Sequence, residues 1–364
     1  MVQALPSALL LLGAFYVLLV LAFRVGLGRL RPGTETATPM VTVVVAAHDE
    51  SPGIDVCLGH LAAQDYPSDR LEIVVVDDRS SDDTPARARR WMHRIPGLRV
   101  VSVSDPLYAC PKKNAVALGI GSGSGELILT TDADCRPPPS WVSSTVRCFS
   151  DRVGLVAGHA PLRSSHPFGG LLVLQSIVVS ALAAGSAGIG FPLTCSGRNL
   201  GYRRSAFDAI GGFQGIGHIR GGDDVLLMHQ IAAEGTWKVA YNPEPRAAVP
   251  SAAHTDRLFA RHIRYQSKAV HSGARVLLLA LPVYIFHLSI VAGAFLLWSY
   301  PELTAPLLIA LSGKLLADAL LLGRVAGTLR ARHAMGWLPL LEIVSVPYVL
   351  LFCALGTLKP VRWS

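Results

Sequence analysis

Long apolar runs stand at both ends of this chain, around a polar block at residues 41–272, and that layout constrains the fold most. Ala4 to Phe23 is almost wholly apolar, enough to cross a bilayer core that needs about 20 residues. Val276 to Tyr300, Leu303 to Gly323 and Trp337 to Leu358 are three further candidate spans, the first closed by Trp298 and Tyr300 as interface residues. Apolar residues make up 51% of the chain and charged residues 16%, where soluble domains carry about a quarter charged. The first run has no basic residue before it, so a cleavable signal peptide fits poorly. Arg24, Arg29 and Arg31 follow it, and Arg324, Arg330 and Arg332 lie between the last two runs. Positive charge stays on the inner side, so the N-terminus is expected outside and the polar block inside. Three later spans would then carry the C-terminus outside, which Lys359 and Arg362 oppose. Pro339, Glu342 and Pro347 leave a bent or re-entrant hairpin open for the last run. The division expected is an anchor at 1–30, a Pro/Thr-rich linker at 31–40, a soluble domain at 41–272 and membrane helices at 273–364.

Within the polar block the periodicity alternates. Val41 to Ala47, Leu71 to Val76, Val100 to Val103 and Glu126 to Thr130 are short apolar runs, the pattern of strands buried on both faces. Ile54 to Gln64, Asp83 to His93 and Lys113 to Leu118 read as helices between them. Such alternation predicts an α/β fold with an open parallel sheet and right-handed crossovers. Ligands in these folds bind at the carboxyl ends of strands, where this chain places Asp49 and Glu50, Asp77 and Asp78, then Asp132 and Asp134. In an extended segment i and i+2 share a side, so Asp132 and Asp134 are expected to converge on one ligand. Hard divalent cations prefer oxygen donors; a solvated strand-end loop is the alternative.

Other segments carry both a structural and a functional reading. Ser81 and Asp82 suit a helix cap, whereas Asp77 and Asp78 have no capping task. Lys112 and Lys113 stand before a helix, where the macrodipole opposes them; phosphate binding or solvation would explain them. Asp223 and Asp224 precede an apolar helix and suit either a cap or a site. Arg261 and Arg264 lie three apart on one helical face beside the membrane, where snorkelling is the structural alternative. Lys314 and Asp318, four apart in a span, pair with each other or line a polar path. Phe168 to Pro192 is apolar and uncharged, yet a crossing there would separate Asp134 from Asp224, so an interfacial or core helix near 168–192 is expected.

The formal charge of +8 suggests an anionic partner, phosphate or a lipid surface. Lys and Arg are scattered, so no nucleic-acid arm is read. The six cysteines lack a Cys-x-x-Cys pair, consistent with reduced thiols in a cytosolic compartment. Gly119 to Gly125 precedes a strand instead of following one, which removes it as a dinucleotide loop.

Taken in order, Val43 to Glu50, Gln64-Asp65-Tyr66-Pro67, Leu71 to Thr84, Lys112, Asp132-Ala133-Asp134, Gly197 to Arg204, Gly211-Gly212-Phe213, Asp223-Asp224 and Arg261 to Tyr265 resemble a membrane-bound family 2 glycosyltransferase with a GT-A domain. The resemblance spans about Val41 to Tyr265. It departs from the usual Glu-Asp at Asp223-Asp224, and from Gln-x-x-Arg-Trp at Arg261 to Tyr265. It implies a nucleotide-sugar donor, by family default a UDP-sugar, contacted by Ala47, Asp49, Asp78, Lys112, Asp132, Arg261 and Arg264. It implies Mg2+ or Mn2+ on Asp134 and Asp132, Asp224 as general base, and an acceptor region at Asn199, Asp223 and Tyr265. The expected reaction is inverting transfer to a membrane lipid, the protein being integral to a bacterial-type inner membrane with its catalytic domain cytosolic. A processive polysaccharide synthase and a non-catalytic nucleotide-sugar-binding scaffold are the alternatives.

Overall fold

Two periodicities, apolar strands and long apolar helices, separate the molecule into a sheet domain and a helical bundle. The computed structural model describes residues 5–164, 166, 169–253, 258–268 and 271–358. Helix α1 (Leu5–Arg29) leads into strand β1 (Val41–Ala47), then α2 (Ser51–Ala62), β2 (Leu71–Asp77), α3 (Thr84–Arg90), β3 (Leu98–Ser102), α4 (Pro111–Ser122) and β4 (Leu127–Asp132). There follow α5 (Trp141–Val146), β5 (Val153–Gly158), β6 (Leu162–Arg163), α6 (Gly169–Gly188), β7 (Leu200–Arg203), α7 (Arg204–Ala209), α8 (Val225–Glu234), β8 (Lys238–Asn242) and β9 (Ser251–Ala252). Helices α9 (Leu258–Ser267), α10 (Ala274–Leu296), α11 (Thr304–Thr328) and α12 (Leu338–Leu358) complete the described chain.

The main sheet runs β3-β2-β1-β4-β7-β5-β8. The first four strands are parallel, as the alternating pattern predicts. Val43, Val45, Ile73 and Val75 face a core built with α2 and α5, while Val44, Val74 and Val76 face a second core built with α4, α7 and α8. Burial on both faces explains why these strands read as continuous apolar runs. One strand departs from the expected parallel sheet: β7 pairs antiparallel with both β4 and β5. It has only four residues, and its direction is set by the partners it meets.

Five described helices are long and apolar enough to cross a membrane: α1, α6, α10, α11 with the turn before it, and α12 with the turn before it. Helix α6 belongs to both halves of the molecule. Its Ala183 and Ala184 enter the core of the sheet domain, while Val173, Leu174, Ile177 and Ala181 pack with Val20 and Phe23 of α1 and Leu321, Leu322 and Val325 of α11. The glycines that weaken it as a lipid-facing helix have a packing reason. A side chain on Gly185 or Gly188 would strike the α1 backbone at Phe23 and Gly26, so glycine permits the close crossing. The Phe168 end of the expected segment lies outside the described residues.

Lys314 is buried against Asp318, at 2.9 Å, and against Glu342 of α12, while the Tyr16 hydroxyl donates to Asp318. The pairing reading of Lys314 and Asp318 therefore holds, with α1 and α12 joined to it. Helix α9 rests on α12 through the Phe259 and Phe352 rings, 5.0 Å between centroids, and through Tyr348 Oη and His262 Nδ1 at 3.0 Å.

Candidate active site

Register brings the strand-end acids to one edge. Ala47 lies beside Asp77, and Ala46 beside Asp132, so the ends of β1, β2 and β4 finish level. Asp134 is reached differently from the expectation. It stands past the end of β4 in a turn closed by Cys135 N–H donating to Asp132 O at 3.1 Å. Strand alternation therefore does not place Asp134; the turn does, and it leaves both carboxylates near Glu50. Their joint field is felt at Glu50, whose carboxyl is pushed up to about 7 by burial first and then by Asp134, Asp132 and Asp82. The sequence reading named Glu50 as a strand-end acid without assigning it to the site.

Lys112 answers this negative charge. Its Nζ lies 2.5 Å from Asp132 Oδ1 and 3.5 Å from Asp223 Oδ2. Burial works against the ammonium, but these carboxylates hold its pKa well above the usual lysine value. Lys113, its neighbour, points the other way: it is fully buried and donates to the carbonyls of Ile216 and Ile219. One lysine serves the site and the other pins the loop that leads to Asp223.

Asp224 caps α8, its Oδ1 accepting from Val225 N–H at 2.7 Å. Lys268 Nζ lies 3.0 Å from the same oxygen, and Gly197 N–H donates to Oδ2 at 3.3 Å. Burial favours the neutral acid, yet Lys268, Lys112 and the Val225 N–H together pull Asp224 well below the usual carboxylate range. Gly197 also accepts a bond from Thr130 Oγ1 at 3.0 Å, tying this loop to β4. A Cβ on Gly197 would come 3.3 Å from both Asp223 Oδ2 and Lys112 Nζ, so glycine leaves room for that pair.

On the opposite side, Asp49 Oδ1 accepts from Ser81 N–H at 2.7 Å and from the Ser81 hydroxyl, and these bonds hold its pKa down. Asp82 bridges two helix starts, accepting from Thr84 N–H at 2.9 Å and Ser51 N–H at 3.0 Å, in keeping with the capping role read for it. Asp78 is buried, with Arg79 Nε 3.0 Å from its Oδ1, and its N–H donates to Ala47 O at 2.8 Å.

One expected acceptor residue is displaced. Asn199 is buried and fully used inside the domain: Oδ1 accepts from Trp141 Nε1 at 2.8 Å, and Nδ2 donates to His159 O and Ala247 O. It fastens three loops, so the acceptor assignment is corrected to a structural one. Asp223 is at the site beside Lys112, and Tyr265 is half exposed on α9 with Lys268 Nζ 5.8 Å from its ring centre. The side chains of Arg261 and Arg264 lie outside the described residues. Glu50, Gly197 and Lys268 were not assigned to the site from sequence. For Lys268 the available signal was a lysine one helical turn beyond Arg264.

Among the described residues no three His, Cys, Asp or Glu side chains form a ready metal cage. The donor set still fits a hard divalent cation. Asp132 and Asp134 offer the oxygen donors such a cation prefers, and their charge, after burial, helps push the Glu50 carboxyl up to about 7.

A family model described as Glycosyl transferase family 2 matches residues 42–211. Glycosyltransferase AglE of Haloferax volcanii is 29% identical over 133 residues, 36% of this chain and 42% of that protein. Beta-monoglucosyldiacylglycerol synthase of Synechocystis sp. is 27% identical over 199 residues, 55% of this chain and 37% of that protein. The chain thus spans less than half the length of these relatives. A mannosyltransferase of Pyrobaculum calidifontis, solved with GDP-Man and Mn2+, superposes with a TM-score of 0.65 at 23% identity, covering 98% of this chain and 99% of that one. That likeness in fold covers the whole molecule, the GT-A sheet domain and the long helices alike.

Proposed function

Since the chain belongs to glycosyl transferase family 2 and has the GT-A fold, we propose that it transfers a sugar from a nucleotide sugar to a membrane lipid, with inversion at the anomeric carbon. The observation that carries this reading is the gathering of Asp132, Asp223 and Asp224 around two lysine ammoniums at the carboxyl edge of the sheet. That edge is the ligand-binding side of such a sheet.

In this reading Ala47, Asp49 and Asp78 contact the base and ribose of the donor, a UDP-sugar being the first candidate. Asp134, with Asp132, would hold Mg2+ or Mn2+, which supplies Lewis-acid neutralisation of the diphosphate leaving group. Lys112 adds positive charge at the same place, and Arg261 and Arg264 are assigned there by family likeness. Asp224 takes the proton of the acceptor hydroxyl as its oxygen attacks the anomeric carbon. The carbon–oxygen bond to the diphosphate breaks, and the electron pair leaves with the nucleoside diphosphate.

A lipid acceptor is supported by the position of the domain. Helix α6, proposed to lie on the inner membrane face, joins the sheet core to α1 and α11, so a lipid head can reach the site without leaving the bilayer. One relative is named as a synthase of a glycolipid, beta-monoglucosyldiacylglycerol.

The test is incubation of the purified chain with a panel of uridine and guanosine diphosphate sugars and a total lipid extract, followed by mass spectrometry. The expected product is a lipid bearing one added sugar. A polymer would favour a polysaccharide synthase, and donor binding without nucleotide release would favour a scaffold. Asp224→Asn is expected to lower transfer by about 10²–10⁴-fold while nucleotide binding persists.

A further inference from the structure

The side chain that covers Asp224 comes from the side of the molecule where α9 packs on the long apolar helix α12. Lys268 follows α9, whose Phe259 and His262 pack on Phe352 and Tyr348 of α12. Its Nζ reaches back 3.0 Å from Asp224 Oδ1. The approach is built for it: Gly221, at φ +98°, would place a Cβ only 3.3 Å from Lys268 Cε. A side chain at that position would press on the lysine stem.

In this state Asp224 is poorly set to act as a base. One oxygen accepts from Val225 N–H and from Lys268, and the other accepts from Gly197 N–H. A carboxylate bound to an ammonium gives up basicity, because the charged form is favoured over the protonated one. A base of this kind must first lose its cation. The cation stands directly after α9, which also touches the long apolar helix α12.

We propose that Lys268 is a positioning residue that makes the transfer selective for lipid over water: it holds Asp224 as an ion pair until an acceptor seated against α9 and α12 draws it away. The inference rests on Asp224 being the base, as in the function proposed above. Water is small and exerts no force on α9, so it meets Asp224 only in the paired state. Hydrolysis is the side reaction that the pair suppresses. In it a water oxygen bonds to the anomeric carbon, its proton passes to Asp224, and the carbon–oxygen bond to the diphosphate breaks with its electrons on the nucleoside diphosphate.

The test uses the full chain in detergent without lipid acceptor, with UDP-glucose, UDP-N-acetylglucosamine and GDP-mannose in turn as donor probes, and reads nucleoside diphosphate release. Lys268→Met is expected to raise release about tenfold over the parent chain, and Lys268→Gln does the same should the methionine variant fold poorly. Lys268→Arg, which keeps a cation, is expected to restore low release, and Lys268→Met with Asp224→Asn returns it to background. Release that stays level or falls in both neutral variants, while nucleotide still binds, overturns the proposal. The two readings fail differently: normal transfer by Asp224→Asn removes the base, whereas an inactive Asp224→Asn with no hydrolysis in Lys268→Met removes only the role of Lys268.

Discussion

Lys112 Nζ stands 2.5 Å from Asp132 Oδ1, so the carboxylate closing β4 is neutralised by the side chain beginning α4. The same ammonium is 3.5 Å from Asp223, and one cation therefore spans the two sides of the site. The pair places positive charge where a diphosphate is proposed to sit.

Lys112→Met should weaken donor binding by about ten- to a hundredfold, the range for a lost charge-assisted hydrogen bond of about 1.5–3 kcal/mol. The same change should strengthen binding of Mn2+ alone, because the competing ammonium is gone. Titration calorimetry with each ligand reads both effects. A variant that loses affinity for donor and metal alike would place Lys112 in a purely structural role.

Asp134→Ala should lower donor affinity in the presence of Mn2+ and leave the affinity measured in EDTA nearly unchanged. If the parent chain binds donor equally with and without EDTA, the metal assignment of Asp134 and Asp132 is wrong.

Glu50 gives the site a pH dependence. Its carboxyl is raised from 4.5 to about 7 in the folded state, so the folded chain binds more protons than the unfolded one between those values. Stability contributed by this proton is present at low pH and declines as pH rises through about 7. Glu50→Gln should flatten that part of a melting-temperature profile. A profile identical in slope between pH 5 and 7 would remove Glu50 as its source.

Lys314 holds Asp318 and Glu342 within the helical bundle. Removing one partner of a buried ion pair leaves an uncompensated charge, at about 3–5 kcal/mol. Lys314→Met should therefore lower the melting temperature in detergent, and replacing all three residues with apolar ones should recover much of it. Normal stability in Lys314→Met would show that the network is solvated.

The strands β1 and β2 were legible almost to the residue, because a strand buried on both faces must be apolar throughout. Helix α1 ran further than its apolar run, to Arg29, since its last turns pack on α6 instead of lipid. The acids Asp49, Asp78, Asp132 and Asp134 were legible as strand-end groups for the same reason. Asn199 was misplaced. Its neighbours in sequence suggested a site loop, and only the positions of Trp141, His159 and Ala247 show that it faces inward.

The sequence by itself determined the layers: which runs are strands, which are long apolar helices, and which edge of the sheet carries the acids. Those properties follow from local periodicity, which dictates the faces that must leave water. Tertiary structure alone decided the antiparallel insertion of β7, the approach of Lys112 to Asp132 and Asp223, and the reach of Lys268 to Asp224 across 44 positions. Such pairings join segments that carry no local record of one another. Their geometry exists only once the sheet, α8 and α9 are packed together.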